Sequence, residues 1–337
     1  MSADAINVLR SHSGVLAKRI ARTAAGWIIE PFSAGMWFSA RECIAAGFDE
    51  MASLLERLSF DPRACVVRGR LLPHVDPRRC RRLSDRGQHG DAVTFEPASR
   101  CCIALDIDGV PEPDCLTFAA EPEAGVEHVL GLLRPEFADA SCWWQATGSA
   151  GIKPGIRCRP WFWLDRPVSD AEAKSWLRGY PVDPSLFNPV TPNYTAGPIL
   201  APYVRDPMIR RSGIRHGLAD TVEILGVLPE IHPVEAVPVD LTGAEPSEAD
   251  LDALAVAVRR SPAVRAIWTG ERVFTDRSRR HFALAAALAR AGLRDPDTLH
   301  RVLLAHDRRL GVDLSKITRA DYAARTIGAA LAAGSRP

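Results

Sequence analysis

Apolar and polar positions alternate along Cys101 to Val110, CCIALDIDGV, and a period of two predicts one strand. Ile103, Leu105 and Ile107 share one face; Ala104, Asp106 and Asp108 share the other. Similar patterning places strands at Ala64–Leu72, Ser141–Ala146, Ile156–Asp165 and Asp220–Leu225. Helical spacing runs through residues 1–60, most clearly in Ser39–Leu58, where Gly47 interrupts it. Glu123–Leu133 carries Val126, Val129, Leu130 and Leu133 on one helical face. Ser169 with Glu172 forms a capping box opening another helix, and Gly179 stops it. Between these elements lie three loops: basic, turn-rich 73–90, small-residue Thr147–Gly155 and proline-rich 181–198.

After Asp240 the pattern changes. LTGAEPSEAD reads as a linker, followed by alanine-rich amphipathic helices. Ser247 with Asp250 caps the first, to about Arg259; a second covers Arg277–Arg290 and ends before Gly292. Asp295-Pro296 opens a third, and a fourth covers Ala320–Ala332. The expected organisation is an N-terminal αβ segment (1–98) packing on an α+β core (99–240), a linker (241–248) and a small all-α domain (249–335).

Composition narrows the function classes. The 337 residues are 47% hydrophobic and 25% charged, with a formal net charge of +1, so any polyanion must be met by a local basic patch. No apolar run is long enough to span a bilayer and the N-terminus lacks an apolar signal core, so the expectation is a cytoplasmic protein without a membrane partner. The cysteines then read as reduced thiols. Cys65, His74, Cys80 and His89 lack zinc-ligand spacing.

The chemistry concentrates in four features. Asp106 and Asp108 put two like charges on one strand face, an arrangement that a cation between them relieves. Oxygen-only donors suit Mg²⁺ or Mn²⁺. Ser149 and Gly151 form a small-residue loop that admits phosphate to backbone N–H groups, and Lys153, Arg157 and Arg159 follow with charge to neutralise a triphosphate. Val182-Asp183 offers a third acid, with Glu223 as its rival. Arg205, Arg210, Arg211 and Arg215 form a basic cluster suited to nucleic-acid phosphates. Trp143, Trp144, Trp161 and Trp163 are either stacking surfaces or core.

This order of features resembles the archaeo-eukaryotic primase superfamily, most closely the primase-polymerases of plasmids, phages and integrated elements. Leu105-Asp106-Ile107-Asp108-Gly109 matches the apolar-Asp-x-Asp motif. SAGIKPGIRCRPWFWLDRP matches the small-residue loop and aromatic strand, with Arg159 where the family has histidine. Val182-Asp183 with Leu186-Phe187 matches the third motif, and the helical tail is similar to the domain that often follows such cores. The resemblance implies an RRM-like catalytic core, with Asp106, Asp108 and Asp183 as ligands of Mg²⁺ or Mn²⁺ and Arg159 on the nucleotide phosphate. It implies nucleoside triphosphates as substrates and single-stranded DNA as template; no helicase motif is present, so a helicase would be a separate partner. An arginine binds phosphate but stays protonated, so it cannot serve as a neutral acid–base group. Two other readings stand beside this one: a catalytically impaired replication-initiation or DNA-binding protein with the same fold, and a metal-dependent nuclease. Pro160, which lacks a ladder donor, predicts an edge position or a bulge for its strand.

Overall fold

Ile156–Val168 is the strand around which the first half of the molecule is built. The computed structural model describes residues 3–32, 35–84, 92–224, 238–240, 245–274 and 277–333. The chain is mixed α+β and divides into two units, 1–231 and 232–337. In chain order the first unit runs β1 (Asp4–Ser11), β2 (Arg19–Thr23), β3 (Gly26–Glu30), β4 (Phe38–Ala45), α1 (Phe48–Ser59), β5 (Ala64–Val67), β6 (Arg70–Leu71) and β7 (Phe95–Glu96). It continues with β8 (Arg100–Ala104), β9 (Ile107–Val110), α2 (Pro122–Leu130), α3 (Pro135–Ala138), β10 (Cys142–Ala146), β11 (Ile156–Val168), α4 (Asp170–Trp176), β12 (Asn193–Tyr194), β13 (Ile199–Leu200) and β14 (Ser212–Arg215).

The principal sheet is antiparallel, in the order β14-β10-β11-β8, with β9 also paired to β11. A second antiparallel sheet has the order β12-β5-β1-β4. Smaller sheets join β13 to β2 and β3, and β6 to β7. The two faces of the principal sheet have different fates. Ile103, Leu105, Ile107, Trp144 and Phe162 pack with α2 and α4. Cys102, Ala104, Trp143, Trp161 and Trp163 pack with α1 and the second sheet. Trp143, Trp144, Trp161 and Trp163 are all buried, so none of these four is a stacking surface. Alternation along β8–β9 thus puts Ala104 under the tryptophan layer and Asp106 and Asp108 just beyond it.

Several elements differ from their sequence expectation. CCIALDIDGV is two strands rather than one, interrupted at Leu105-Asp106. Pro160 lies opposite the interruption: its carbonyl accepts from the Leu105 N–H at 3.0 Å, but its ring nitrogen has no proton to return. β11 nevertheless has partners on both sides, so Pro160 sits in a central strand and not at an edge. Ser39–Leu58 is strand β4 followed by helix α1, with Gly47 as the N-cap. The preceding segment, read as helical, forms β1, β2 and β3. The part of the 73–90 loop within the described residues is anchored, because Cys80 is buried and exchanges backbone hydrogen bonds with Phe38 at 2.9 and 2.8 Å. The late strand at 220–225 is reduced to an isolated bridge between Leu164 and Val222, and Leu225 lies outside the described residues. The regular strand there is β14, within the predicted basic cluster.

The second unit comprises α5 (Glu248–Arg260), α6 (Pro262–Thr269), α7 (Arg277–Arg290), α8 (Pro296–Arg309) and α9 (Ala320–Ala333). α6 is an addition to the predicted set: Ser261 caps it just after α5 ends. Leu254, Ile267, Leu284, Leu303 and Ile327 share the core. Inside it, Asp307 accepts from Arg280 at 2.6 Å and contacts His281 Nε2 at 2.8 Å, while His281 Nδ1 meets the Tyr322 hydroxyl at 3.0 Å. His281 is therefore structural. Val239 packs against this same helical core. No helix among the described residues is long and apolar enough to cross a membrane.

Candidate active site

Beyond the tryptophan layer, the register of the principal sheet lines up a row of polar residues. Ser212 is paired with Gln145, and Gln145 with Arg159. The β9–β11 register, Ile107 with Cys158 and Asp108 with Arg157, sets Asp106 opposite Arg159. Directly opposed residues bring their side chains together on one face. Arg159 Nε and Nη2 both donate to Asp106 Oδ1, at 3.0 and 2.6 Å. Its Nη1 donates to the Tyr194 carbonyl at 2.6 Å. Arg157 makes the equivalent ion pair with Asp108. The two pairs differ in exposure: the Asp106 side chain is 18% exposed and that of Asp108 is 63% exposed.

A cavity of about 370 Å³ opens on this row. Asp106, Asp108, Asp183, Ser149 and Arg159 all line it, so five of the residues singled out in the sequence converge from separate segments. Asp183 arrives through its backbone, whose N–H donates to the Asp106 carbonyl at 2.9 Å. Its carboxylate accepts from the Ser185 N–H at 2.8 Å and the Ser185 hydroxyl at 2.9 Å, capping the short 3₁₀ turn Pro184–Phe187. Lys153 and Arg157 are not part of the lining. Lys153 lies in the loop that closes the β10–β11 hairpin, its N–H bonded to the Ser149 carbonyl. Glu223 lines a different cavity, with Arg134 and Asp139.

The structure adds Lys18. Its stem crosses Gly148, where a Cβ would come within 3.2 Å of it. Its ammonium reaches the Ser149 hydroxyl at 3.5 Å. Burial, with Lys153 and Arg157 nearby, lowers the pKa of Lys18, while Asp106 acts in the opposite sense. Burial also lowers that of Arg157. A lone lysine far from the motifs in sequence gives no local signal of this placement. Gln145, buried on the same row, donates to the Tyr194 carbonyl at 3.1 Å, and its own side-chain oxygen has no hydrogen-bond partner among the described residues.

Arg210 and Arg211 line an adjoining cavity that shares Gln145 and Ala196 with the first. Arg211 is held by Asp206 at 2.6 and 2.7 Å and donates to the Thr147 carbonyl at 3.1 Å; Arg210 pairs with Glu123. Phe60, 79% exposed, stands on the same cavity wall. Arg205 lines neither cavity.

The donor chemistry of Asp106, Asp108 and Asp183 suits a hard divalent cation such as Mg²⁺ or Mn²⁺. Among the described residues no three His, Cys, Asp or Glu side chains are grouped to hold a metal ion. The three carboxylates are instead turned toward Arg159, Arg157 and Ser185. Both arginine donors on Asp106 fall on Oδ1, and Asp108 is largely exposed, so oxygen donors remain to be offered to a cation. Comparison with known proteins finds no matching family model, no matching curated protein and no matching solved structure.

Proposed function

We infer that this cavity is the site of a metal-dependent nucleotidyltransferase of the primase-polymerase type, extending or initiating a nucleic-acid chain from nucleoside triphosphates. The observation that carries the reading is the convergence of Asp106, Asp108 and Asp183 with Lys18, Ser149 and Arg159 on one cavity. Acids alone would suit hydrolysis equally; acids beside two cations and a small-residue loop suit a polyphosphate. Mg²⁺ or Mn²⁺ held by the three aspartates would supply the charge that activates an attacking hydroxyl and stabilises a leaving pyrophosphate. Arg159 and Lys18 neutralise the phosphate chain, and Ser149 offers a hydroxyl beside Lys18. Arg210 and Arg211, on the adjoining cavity, meet the phosphates of a single-stranded DNA template, with exposed Phe60 as a surface for its bases.

Template-directed incorporation of labelled nucleotides with Mg²⁺ or Mn²⁺ tests this. Asp106→Ala with Asp108→Ala is expected to abolish incorporation, and unchanged incorporation sinks the assignment. A second reading is favoured by one observation: Arg159 and Arg157 already neutralise the two acids within the protein. In that reading the fold binds nucleotide and DNA without chemistry, and binding without incorporation under every metal condition separates it from the first.

A further inference from the structure

The lining of the cavity has two chemically distinct parts. One is ionic, formed by the aspartates, Lys18 and Arg159; the other is apolar and aromatic, formed by Leu16, Phe32, Leu186, Pro192 and Tyr194. The Phe32 and Tyr194 rings lie 4.0 Å apart between centroids, inclined at 42°, so they pack on one another as an aromatic pair on the cavity wall. Its position is fixed relative to the acids, because the Tyr194 carbonyl receives hydrogen bonds from both Arg159 and Gln145. Burial pushes the Tyr194 phenol up to about 12, so its ring stays neutral beside the ionic row. A bare polyphosphate would use only the ionic part and leave the rings against water. A ligand that uses both parts has a flat apolar head and a polyanionic tail.

We propose that Phe32 and Tyr194 form the nucleobase subsite of this cavity, which takes the base of a nucleoside triphosphate by its face and not by its edge. The proposal rests on the triphosphate reading and specifies it further. Every base has a π-face, so stacking tolerates any of them, whereas discrimination requires hydrogen bonds to base edges. Binding before template pairing is therefore indifferent to base identity, and the choice of base falls to the template.

Calorimetric titration of the full chain, with Mg²⁺ and without template, tests the subsite. The probes are the four deoxynucleoside triphosphates and inorganic tripolyphosphate. The expected result is that the four nucleotides bind within about fivefold of one another and at least about tenfold more tightly than tripolyphosphate. Phe32→Ala lowers nucleotide affinity about tenfold and leaves tripolyphosphate binding unchanged, and Phe32→Trp restores it. Phe32 is only half-buried, so these variants keep the fold. Equal affinity for tripolyphosphate and nucleotides, unaltered by Phe32→Ala, overturns the base subsite and leaves the polyphosphate site standing. A spread of about a hundredfold among the four bases overturns recognition by face alone. Absence of binding by nucleotides and tripolyphosphate alike overturns the subsite together with the reading on which it rests.

Discussion

Arg159 directs two of its donors to a single oxygen of Asp106, at 3.0 and 2.6 Å, and the third to the Tyr194 carbonyl. A metal ion and a phosphate chain would each claim one member of this pair. Cation binding at Asp106 competes with Arg159, whereas polyphosphate binding at Arg159 competes with Asp106. Arg159→Gln is thus expected to strengthen Mn²⁺ binding and weaken triphosphate binding, each by about tenfold, the scale of one charged hydrogen bond. Mn²⁺ titration followed by electron paramagnetic resonance, with nucleotide titration in parallel, reads both. A change of the same sign in the two titrations would identify Arg159 as a scaffold residue alone.

Lys18 gives the site a pH dependence at its alkaline end. Burial and neighbouring cations favour its neutral form, so the ammonium deprotonates below the ordinary lysine value of 10.5. The charged form is the one that attracts phosphate. Triphosphate affinity is expected to fall as pH rises through this lowered pKa, and Lys18→Arg, charged throughout, abolishes the decline. Lys18→Ala weakens binding about tenfold at neutral pH, the scale of a lost charge-assisted contact. Affinity measured from pH 7 to pH 10 in the three proteins gives the comparison. A decline that persists in Lys18→Arg assigns the titration to another group.

Arg68 ties the two larger sheets of the first unit together. It is 6% exposed, follows directly on β5, and donates to Asp170 Oδ1, the Cys102 carbonyl and the Val168 carbonyl at 3.0, 3.0 and 2.8 Å. Burial raises the Asp170 pKa despite the opposing pull of Arg68. Arg68→Met strands that carboxylate and is expected to cost about 3–5 kcal/mol in urea unfolding. Arg68→Met combined with Asp170→Leu recovers most of the loss, since no unpaired charge is left behind. A double variant as unstable as the single one would mean that the carbonyl contacts dominate.

The helical unit should weaken in mild acid. Burial is the first cause holding His306 at about 4, against an ordinary 6.5; its Nε2 contacts the Ile267 carbonyl at 3.2 Å. Between these values the unfolded chain binds a proton that the folded chain refuses. The His306 contribution to stability therefore falls as pH drops from 6.5 to about 4 and is fully lost below that. The full loss is at most about 3 kcal/mol. His306→Gln keeps a donor for Ile267 and should flatten the slope, as read from melting temperatures at pH 7 and pH 5.

What the sequence revealed depended on whether a signal was local. The capping boxes of Ser169 with Glu172 and Ser247 with Asp250 are complete within four residues, and both form as expected. The alternation in CCIALDIDGV was equally local and identified the face that carries the acids. Its interruption was not, because the cause is Pro160 on the neighbouring strand. Ser39–Leu58 misled in its first part, because Ala40, Cys43 and Ile44 suit helical spacing while pairing with β1 decides for a strand. Within the site, Asp106, Asp108, Asp183, Ser149 and Arg159 were legible from motif order, and the cavity gathers them. The commitment of Arg157 to Asp108 depends on cross-strand register, and the arrival of Lys18 depends on tertiary packing, so neither leaves a mark in a local window.

The tryptophan layer bears on how this protein would fail. Trp161 and Arg159 share one face of β11, and opposite them lie Ala104, which ends β8, and Asp106, in the interruption that follows it. Asp106, Asp108 and their partners Arg159 and Arg157 consequently hang from the same backbone that clamps α1 and the second sheet. Heat or denaturant cannot disarrange them by loosening a lid or a tip; the tryptophan clamp has to open first. Separation of Asp106 and Asp108 from their arginines and exposure of Trp143, Trp161 and Trp163 should therefore be a single event.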